Sequence, residues 1–191
     1  MALVWAMQFS RNTRQRSLIL GYLAAWFLMA AGLGRAQEFR LESAGARGGF
    51  SSDPGIGQFV QAEAFLDWNL PWQWEWGTDW RLQSRLDLSA GWLGSQGTDA
   101  AIATIGPTVV LGRKRFPLSL EGGLSPTVLS RHEFESKDFG SLYQFTSHAG
   151  LNWDLGERFR VGYRFQHMSN AGFASPNPGL NMHLFTVSYR F

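Results

Sequence analysis

The stretch that decides the fold is "WRLQSRLDLSAGW", residues 80 to 92, because its side chains alternate in character at almost every step. One face carries Trp80, Leu82, Ser84, Leu86, Leu88, Ala90 and Trp92, and the other carries Arg81, Gln83, Arg85, Asp87 and Ser89. Successive side chains of a β-strand point to opposite sides of the sheet. This period of two therefore predicts a strand with one apolar and one polar face.

The same alternation continues through the rest of the chain. From Gln37 onward no helical period of any length is found, and turn residues separate the alternating segments. Eight segments result, at residues 38–50, 57–70, 80–93, 99–112, 117–130, 140–153, 158–170 and 180–191. We predict an all-β fold, an eight-stranded antiparallel barrel that occupies residues 37–191.

The apolar faces point inward in a soluble lipocalin-like barrel and outward in a transmembrane one, and three features favour the transmembrane barrel. The segments run about 11 to 14 residues, long enough to cross a bilayer at a tilt, whereas strands of soluble proteins are usually about five or six. The link between the second and third segments is crowded with the tryptophans of an interfacial girdle: Trp68, Trp72, Trp74, Trp76 and Trp80. The chain ends "VSYRF", which resembles the C-terminal signature of bacterial outer-membrane barrels.

Residues 1–36 have the features of a helical signal peptide. Arg11, Arg14 and Arg16 precede the apolar run "SLILGYLAAWFLMAAGLG", and Gly34-Arg35-Ala36 supplies the small residues of a cleavage site, so cleavage is expected after Ala36. A retained membrane anchor is the alternative, because about 20 apolar residues suffice to span a bilayer.

Composition excludes several classes of function. The chain has no cysteine, so it offers neither a disulfide framework nor a thiolate metal site. Removing the leader takes away four arginines and no acid, which leaves 13 of the 17 basic residues against 15 acidic ones. This balance gives no electrostatic reason to expect nucleic acid as a partner.

Closure of eight strands with both ends in the periplasm assigns each linker to one side of the membrane. Linkers 113–116 and 154–157 become periplasmic turns, and linkers 51–56, 94–98, 131–139 and 171–179 face outside. His167 and Ser169 then lie at the upper end of the seventh strand, near the outer leaflet.

Parity places polar side chains on the outer face of the seventh and eighth strands. Phe165 belongs to the lipid-facing set of the seventh strand, so His167 and Ser169 face outward as well. Pairing symmetric about residue 174 would set Phe165 opposite His183 and His167 opposite Asn181. Polar groups exposed to lipid are costly and indicate function, unless the strand has already cleared the hydrocarbon and headgroups wet them.

The stretch "FQHMSNAGFASPNPGLN", residues 165 to 181, resembles the signature of the lipid A 3-O-deacylase (PagL) family of outer-membrane acyl hydrolases. That signature is His-x-Ser-Asn-Ala-Gly, then Pro-Asn-x-Gly and an acidic residue on the next strand. The resemblance implies Ser169 as nucleophile, His167 as general base, and an oxyanion hole from the Asn170 side chain and a backbone N–H near Gly172. Asn181 stands where the family has the glutamate that orients the histidine, and its oxygen can still accept a hydrogen bond from the imidazole.

The resulting hypothesis is an outer-membrane serine esterase that removes an ester-linked acyl chain from the lipid A of lipopolysaccharide, drawn laterally from the outer leaflet. No cofactor and no metal is expected, because zinc spacing, a calcium loop and a phosphate cradle are all missing from the sequence. A homodimer is left open. Two alternatives remain, a structural or adhesion barrel without activity and a phospholipase, which would need a calcium site.

Two further histidines have plainer interpretations. His148 has inward parity in the sixth segment, beside a presumed lumen of paired charges from Arg81, Arg85, Asp87, Glu121, Arg164 and Arg190. His132 lies in "RHEFESKDF", which is most simply a solvated surface loop. Acids of that loop, Glu133, Glu135 and Asp138, are the candidates to replace the missing glutamate.

Overall fold

The structure is a computed structural model that describes residues 35–36, 38–52 and 58–191. Nearly all of the predicted leader, residues 1–36, and most of the predicted outside linker at 51–56 lie outside the described residues. Within the described ranges, no helix has the length and hydropathy needed to cross a membrane.

Eight long antiparallel strands close into a barrel, as the alternation predicted. They are β1 Arg40–Ser51, β2 Val60–Trp76, β3 Trp80–Ser95, β4 Thr98–Arg113, β5 Phe116–Leu129, β6 Tyr143–Leu155, β7 Phe159–Ser169 and β8 Leu180–Arg190. Each strand pairs with its neighbour in sequence, and β8 pairs with β1 to complete the ring. A two-residue strand, Arg35–Ala36, also pairs with β2.

The barrel has two unlike ends. One end, here called the turn end, carries the short connections 77–79, 114–115 and 156–158. The other, the loop end, carries connections 52–59, 96–97, 130–142 and 170–179. The shortest of these is a tight hairpin in which Gln96 and Gly97 have φ angles of 50° and 80°, the pair of positive values that a type I′ turn needs.

The second strand is longer than the sequence predicted. Its predicted end at residue 70 precedes Pro71, which cannot donate to the ladder, but pairing with β3 resumes beyond it. Asn69 pairs with Arg85 and Gln73 pairs with Gln83, so β2 carries two extra residues at this point. An even number of extra residues leaves the alternation of inward and outward side chains unchanged. Because the strand continues to Trp76, Trp72, Trp74 and Trp76 lie in the strand and not in a link.

The exterior of the barrel is apolar and the interior is polar, which is the sidedness of a transmembrane barrel. In β7, Tyr163 and Phe165 are exposed, whereas Arg164 and Gln166 are buried inside. At the turn end, Trp76 and Trp80 stack with an interplanar angle of 4° and the Arg113 guanidinium lies 5.5 Å from the Trp80 ring centroid. Aromatic rings therefore line this rim, as a girdle would.

Ion pairs fill the barrel from its turn end to its middle. Arg47 donates to Glu63 and, through both terminal nitrogens, to Asp87 at 2.8 Å. Arg164 joins the same group, 3.3 Å from Asp87 and 2.7 Å from Glu121. The predicted packed polar lumen is confirmed for Asp87, Glu121 and Arg164, which are bonded across strands. Arg47 and Glu63 join them, although they were not predicted from the sequence.

The loop end of the barrel is closed by an apolar plug that the sequence did not predict. Phe59, Phe134 and Phe139 pack edge to face, with ring centroids 5.1 to 5.7 Å apart. Inward-facing side chains of the strands surround them: Leu93, Ala100, Ile102, Leu129, Met168, Leu180, Met182 and Leu184. Loop 130–142 is therefore only partly the solvated loop expected, because its phenylalanines descend into the barrel mouth.

We predict that the ion pairs of the lumen dominate the stability of the barrel. Arg47→Met should lower the free energy of unfolding by about 3–5 kcal/mol, because Glu63 stays buried without its cation and Asp87 keeps only the 3.3 Å contact with Arg164. Arg113→Met is the matched control, since its pair with Asp79 is half exposed and should contribute at most about 1 kcal/mol. Urea unfolding in phospholipid vesicles, followed by tryptophan fluorescence, measures both, and equal losses would contradict the prediction.

Candidate active site

The candidate site lies where β7 ends and β8 begins, at the loop end of the barrel. The predicted register is confirmed, because Phe165 pairs with His183 and His167 pairs with Asn181. His167 is exposed, and Ser169 and Asn181 are half-buried. The neighbour Met168, of opposite parity, is buried inside the barrel, so His167 and Ser169 share the outward face.

The imidazole of His167 is held by the Asn181 side chain. Nδ1 of His167 lies 2.8 Å from Oδ1 of Asn181. An amide oxygen only accepts, so this contact places the ring proton on Nδ1 and leaves the Nε2 lone pair free to accept a proton. The pair has the tautomer that a general base needs.

Gly179 forms a wall against the same ring. A Cβ built on this glycine would lie 2.8 Å from Cε1 of His167 and 3.4 Å from its Nε2. The residue also has a φ of 68°, a backbone conformation that residues other than glycine rarely adopt. Glycine is therefore required here both for space and for backbone conformation.

Ser169 shares the outward face with His167, two residues along the strand. Among the described residues, its hydroxyl makes no hydrogen bond to the His167 ring. Across the ladder, Ser169 pairs with Phe145 and His167 pairs with Ser147, another outward-facing serine. Sequence reasoning missed Ser147, whose position beside the imidazole follows only from the pairing of β6 with β7.

Asn170 organises the loop that follows β7, residues 170–179, here called the site loop. Its buried side-chain amide donates to the carbonyl oxygens of Phe139 at 2.9 Å and Pro176 at 2.8 Å. Its Oδ1 accepts from the Gly172 N–H at 2.9 Å, and its own N–H donates to Asn177. The Asn170 amide and the Gly172 N–H, the donors expected in an oxyanion hole, thus already have partners within the protein.

A second polar contact lies on the outer face, one row closer to the middle of the barrel. The Tyr163 hydroxyl and Nδ1 of His183 are 2.6 Å apart. The His183 ring also packs on the rings of Tyr163, Phe165 and Phe50. Tyr163 was not identified from the sequence as a polar partner, although it has the parity of His167 and Ser169.

The acids of loop 130–142 do not replace the missing glutamate in this arrangement. Asp138 accepts hydrogen bonds from the Gly140 N–H at 2.7 Å and from the His132 ring at 2.9 Å. These two donors hold the pKa of Asp138 below its usual value. Among the described residues, His132, Glu133 and Asp138 carry potential metal-ligand atoms within 4.8 Å of one another, but none of them contacts His167.

The closed barrel and its apolar exterior define a membrane β-barrel, and a His-Asn pair lies beside a serine on its outward face. The chain matches the family model described as lipid A 3-O-deacylase (PagL) over residues 61–190. It is 32% identical over 157 residues to the lipid A deacylase PagL of Bordetella bronchiseptica, a match that covers 76% of this chain and 84% of that protein. The fold is similar to the crystal structure of the outer membrane enzyme PagL, with a TM-score of 0.65 at 20% identity over 77% of this chain and 97% of that one. The chain belongs to the lipid A 3-O-deacylase family and is an outer-membrane protein.

We predict that Asn170 holds the site loop in place. Asn170→Ala should free residues 170–179 without opening the barrel, because the Pro176 carbonyl loses its side-chain donor and the Phe139 carbonyl keeps only the longer 3.3 Å bond from Gln144. The expected cost is about 1–3 kcal/mol of local stability. Amide hydrogen exchange measures it: protection should fall in the loop and persist in β7 and β8, and unchanged loop protection would contradict the role.

Proposed function

We propose that this protein is an outer-membrane serine esterase that hydrolyses the ester-linked 3-O acyl chain of lipid A in lipopolysaccharide. Ser169 is the nucleophile, His167 the general base and Asn181 the group that orients the base. The observation that carries the proposal is the 2.8 Å contact between His167 and Asn181 on the outward face, beside Ser169. Membership of the family supports the substrate class.

The reaction follows from the tautomer of His167. Its free Nε2 takes the Ser169 proton as the hydroxyl oxygen attacks the ester carbonyl, which becomes a tetrahedral oxyanion. Collapse expels the sugar oxygen, which receives that proton, and leaves an acyl-serine. Water, activated by the same imidazole, then releases the fatty acid and restores Ser169.

The distance between base and nucleophile has to shorten on substrate binding. No hydrogen bond joins Ser169 and His167 among the described residues, and catalytic hydrogen bonds are often long before substrate is bound. Because both side chains lie on the outward face of the same strand, side-chain rotation can bring Ser169 towards His167 without a change in strand register.

The oxyanion hole expected at Asn170 and Gly172 forms only if both donors release their present partners. Both donors are bonded inside the loop, the Asn170 amide to Phe139 and Pro176 and the Gly172 N–H to Asn170 itself. They can stabilise the oxyanion only by exchanging these partners for the substrate oxygen. In this proposal only the Asn170 side chain and the Gly172 N–H change position as the transition state forms, and Gly179 stays against His167.

The substrate approaches along the outer wall of the barrel. The lumen offers no route, because ion pairs and an apolar plug fill it. Outward-facing rings near the site, Phe145 and Phe173 with centroids 5.8 Å apart, provide an apolar surface beside Ser169. A lipid of the outer leaflet can therefore reach the lipid-facing pair without leaving the membrane.

The nucleophile is tested by mass spectrometry of lipid A incubated with purified variants. Wild type should remove one hydroxyacyl chain, and Ser169→Ala should lower the rate at least about 10³-fold, because the acyl-enzyme cannot form. Ser147→Ala is the matched control and should keep its activity. Loss of activity in Ser147→Ala alone would reassign the nucleophile, and lipid A left unchanged by folded wild type would refute the deacylase.

A restored carboxylate should accelerate the reaction. Asn181→Asp has nearly the same shape but adds a negative charge beside the imidazolium, so kcat at neutral pH should rise by about 10-fold or more, whereas Asn181→Ala should lower it by a similar factor. Initial rates of acyl release measure both variants. Equal rates in the Ala variant and wild type would show that Asn181 does not orient the base.

A further inference from the structure

Loop 130–142 contacts the site loop at three points. Nζ of Lys137 donates to the Gly179 carbonyl oxygen at 2.5 Å. The Phe139 carbonyl accepts from the Asn170 amide at 2.9 Å. Gly140, with a φ of 70°, lies so close to Pro176 that a Cβ on it would be 2.2 Å from the Pro176 oxygen. The two loops are therefore joined by two side-chain hydrogen bonds and by one close approach of their backbones.

Lys137 is the unusual member of this contact because it is buried. Only 7% of its surface is exposed, and Nζ lies 5.8 Å from the Phe139 ring centroid. Lysine is rarely buried, since the ammonium loses its hydration and the long side chain loses rotamer freedom. Lys137 also has an interaction beyond these two. The cost of burial indicates that the position of this ammonium matters.

The carbonyl that Lys137 holds belongs to the residue that walls the catalytic imidazole. Gly179 approaches the edge of the His167 ring that bears Cε1 and Nε2, and Asn181 holds the opposite nitrogen, Nδ1. The ring is therefore located by an amide on one side and by a backbone on the other. Movement of Gly179 would let the ring tilt and would misdirect the Nε2 lone pair.

We propose that Lys137 is a positioning residue for deacylation, which keeps Gly179 against His167 and so aims Nε2 at Ser169. The inference rests on the function proposed above. Its effect falls on the chemical step, because the lysine is buried and acts on Gly179, the residue that packs against the base. A displacement of about 1 Å at a catalytic group can cost about 100-fold in rate.

The alternative is that Lys137 only staples the loops together and contributes to stability. The two roles predict different results. If Lys137 only stabilises the loops, its substitution changes the unfolding midpoint but leaves the reactivity of Ser169 in the folded protein unchanged. A positioning residue changes the reactivity of Ser169 even towards a small reagent that does not need the lipid-binding surface.

The test compares Lys137→Met with Lys114→Met. Lys114 serves as the control because it is the only other lysine of the chain. It lies at the turn end and is paired with Glu75. Two rates are measured on the folded full-length barrel in detergent micelles: labelling of Ser169 by a small fluorophosphonate, and acyl release from lipid A. For Lys137→Met, labelling and kcat should both fall about 10-fold or more, with KM changed less than about twofold. Lys114→Met should match wild type in all three quantities.

A double-mutant cycle sharpens the assignment. If Lys137 and Asn181 both act through the His167 ring, the loss of kcat in Lys137→Met combined with Asn181→Ala should be smaller than the product of the single losses. If Lys137→Met does not fold, Lys137→Gln takes its place, because its shorter side chain cannot reach the Gly179 oxygen but remains polar.

Unchanged labelling and kcat in a folded Lys137 variant would overturn the inference while the proposed function stands. A kcat loss without slower labelling would also overturn it, since the base would then be unaffected. Wild type that is not labelled, or a Ser169→Ala variant that still deacylates, would overturn the proposed function and this inference together.

Discussion

The core of a bilayer holds no water to satisfy polar groups, and the rest of this structure depends on that constraint. It requires a closed sheet, so β8 pairs with β1 and leaves no open edge. It turns charged side chains inward, where Arg47 and Arg164 share Asp87. It also makes polar side chains on the outer wall expensive, and those of β7 and β8 bond one another: Tyr163 with His183, and His167 with Asn181.

The same constraint gives a physical reason for an asparagine at residue 181, the position proposed to orient the base. A carboxylate at residue 181 would help the imidazolium but would place a formal charge on the outward face of a membrane barrel. An amide fixes the same tautomer of His167 without that charge. If His167 is the base, as proposed, the site gives up electrostatic stabilisation of its charged form and keeps its orientation, so the rate depends more on where the ring is placed.

That placement is assembled in layers. Strand register brings Asn181 to His167, the site loop brings Gly179 against the ring, and loop 130–142 anchors the site loop through Lys137 and the Phe139 carbonyl. The anchor is itself fixed by the apolar plug in the barrel mouth. The side chains that fill the barrel mouth therefore also fix a feature of its exterior, because they hold the loop beside the His167–Asn181 pair.

Much of this architecture follows from local sequence patterns. Alternation predicted all eight strands, and the symmetry of the last hairpin predicted that His167 faces Asn181, because parity and register in a hairpin depend on neighbouring residues alone. The end of β2 was predicted wrongly, since Pro71 interrupts the pattern and two extra residues restore it beyond. The burial of Lys137 and Phe139 and the bonds of the Asn170 amide carry no such local signal. The sequence by itself therefore determined the barrel, its sidedness and the members of the outward pair, whereas only the tertiary structure decided which backbone groups surround them, because those contacts join loops that meet only when the barrel closes.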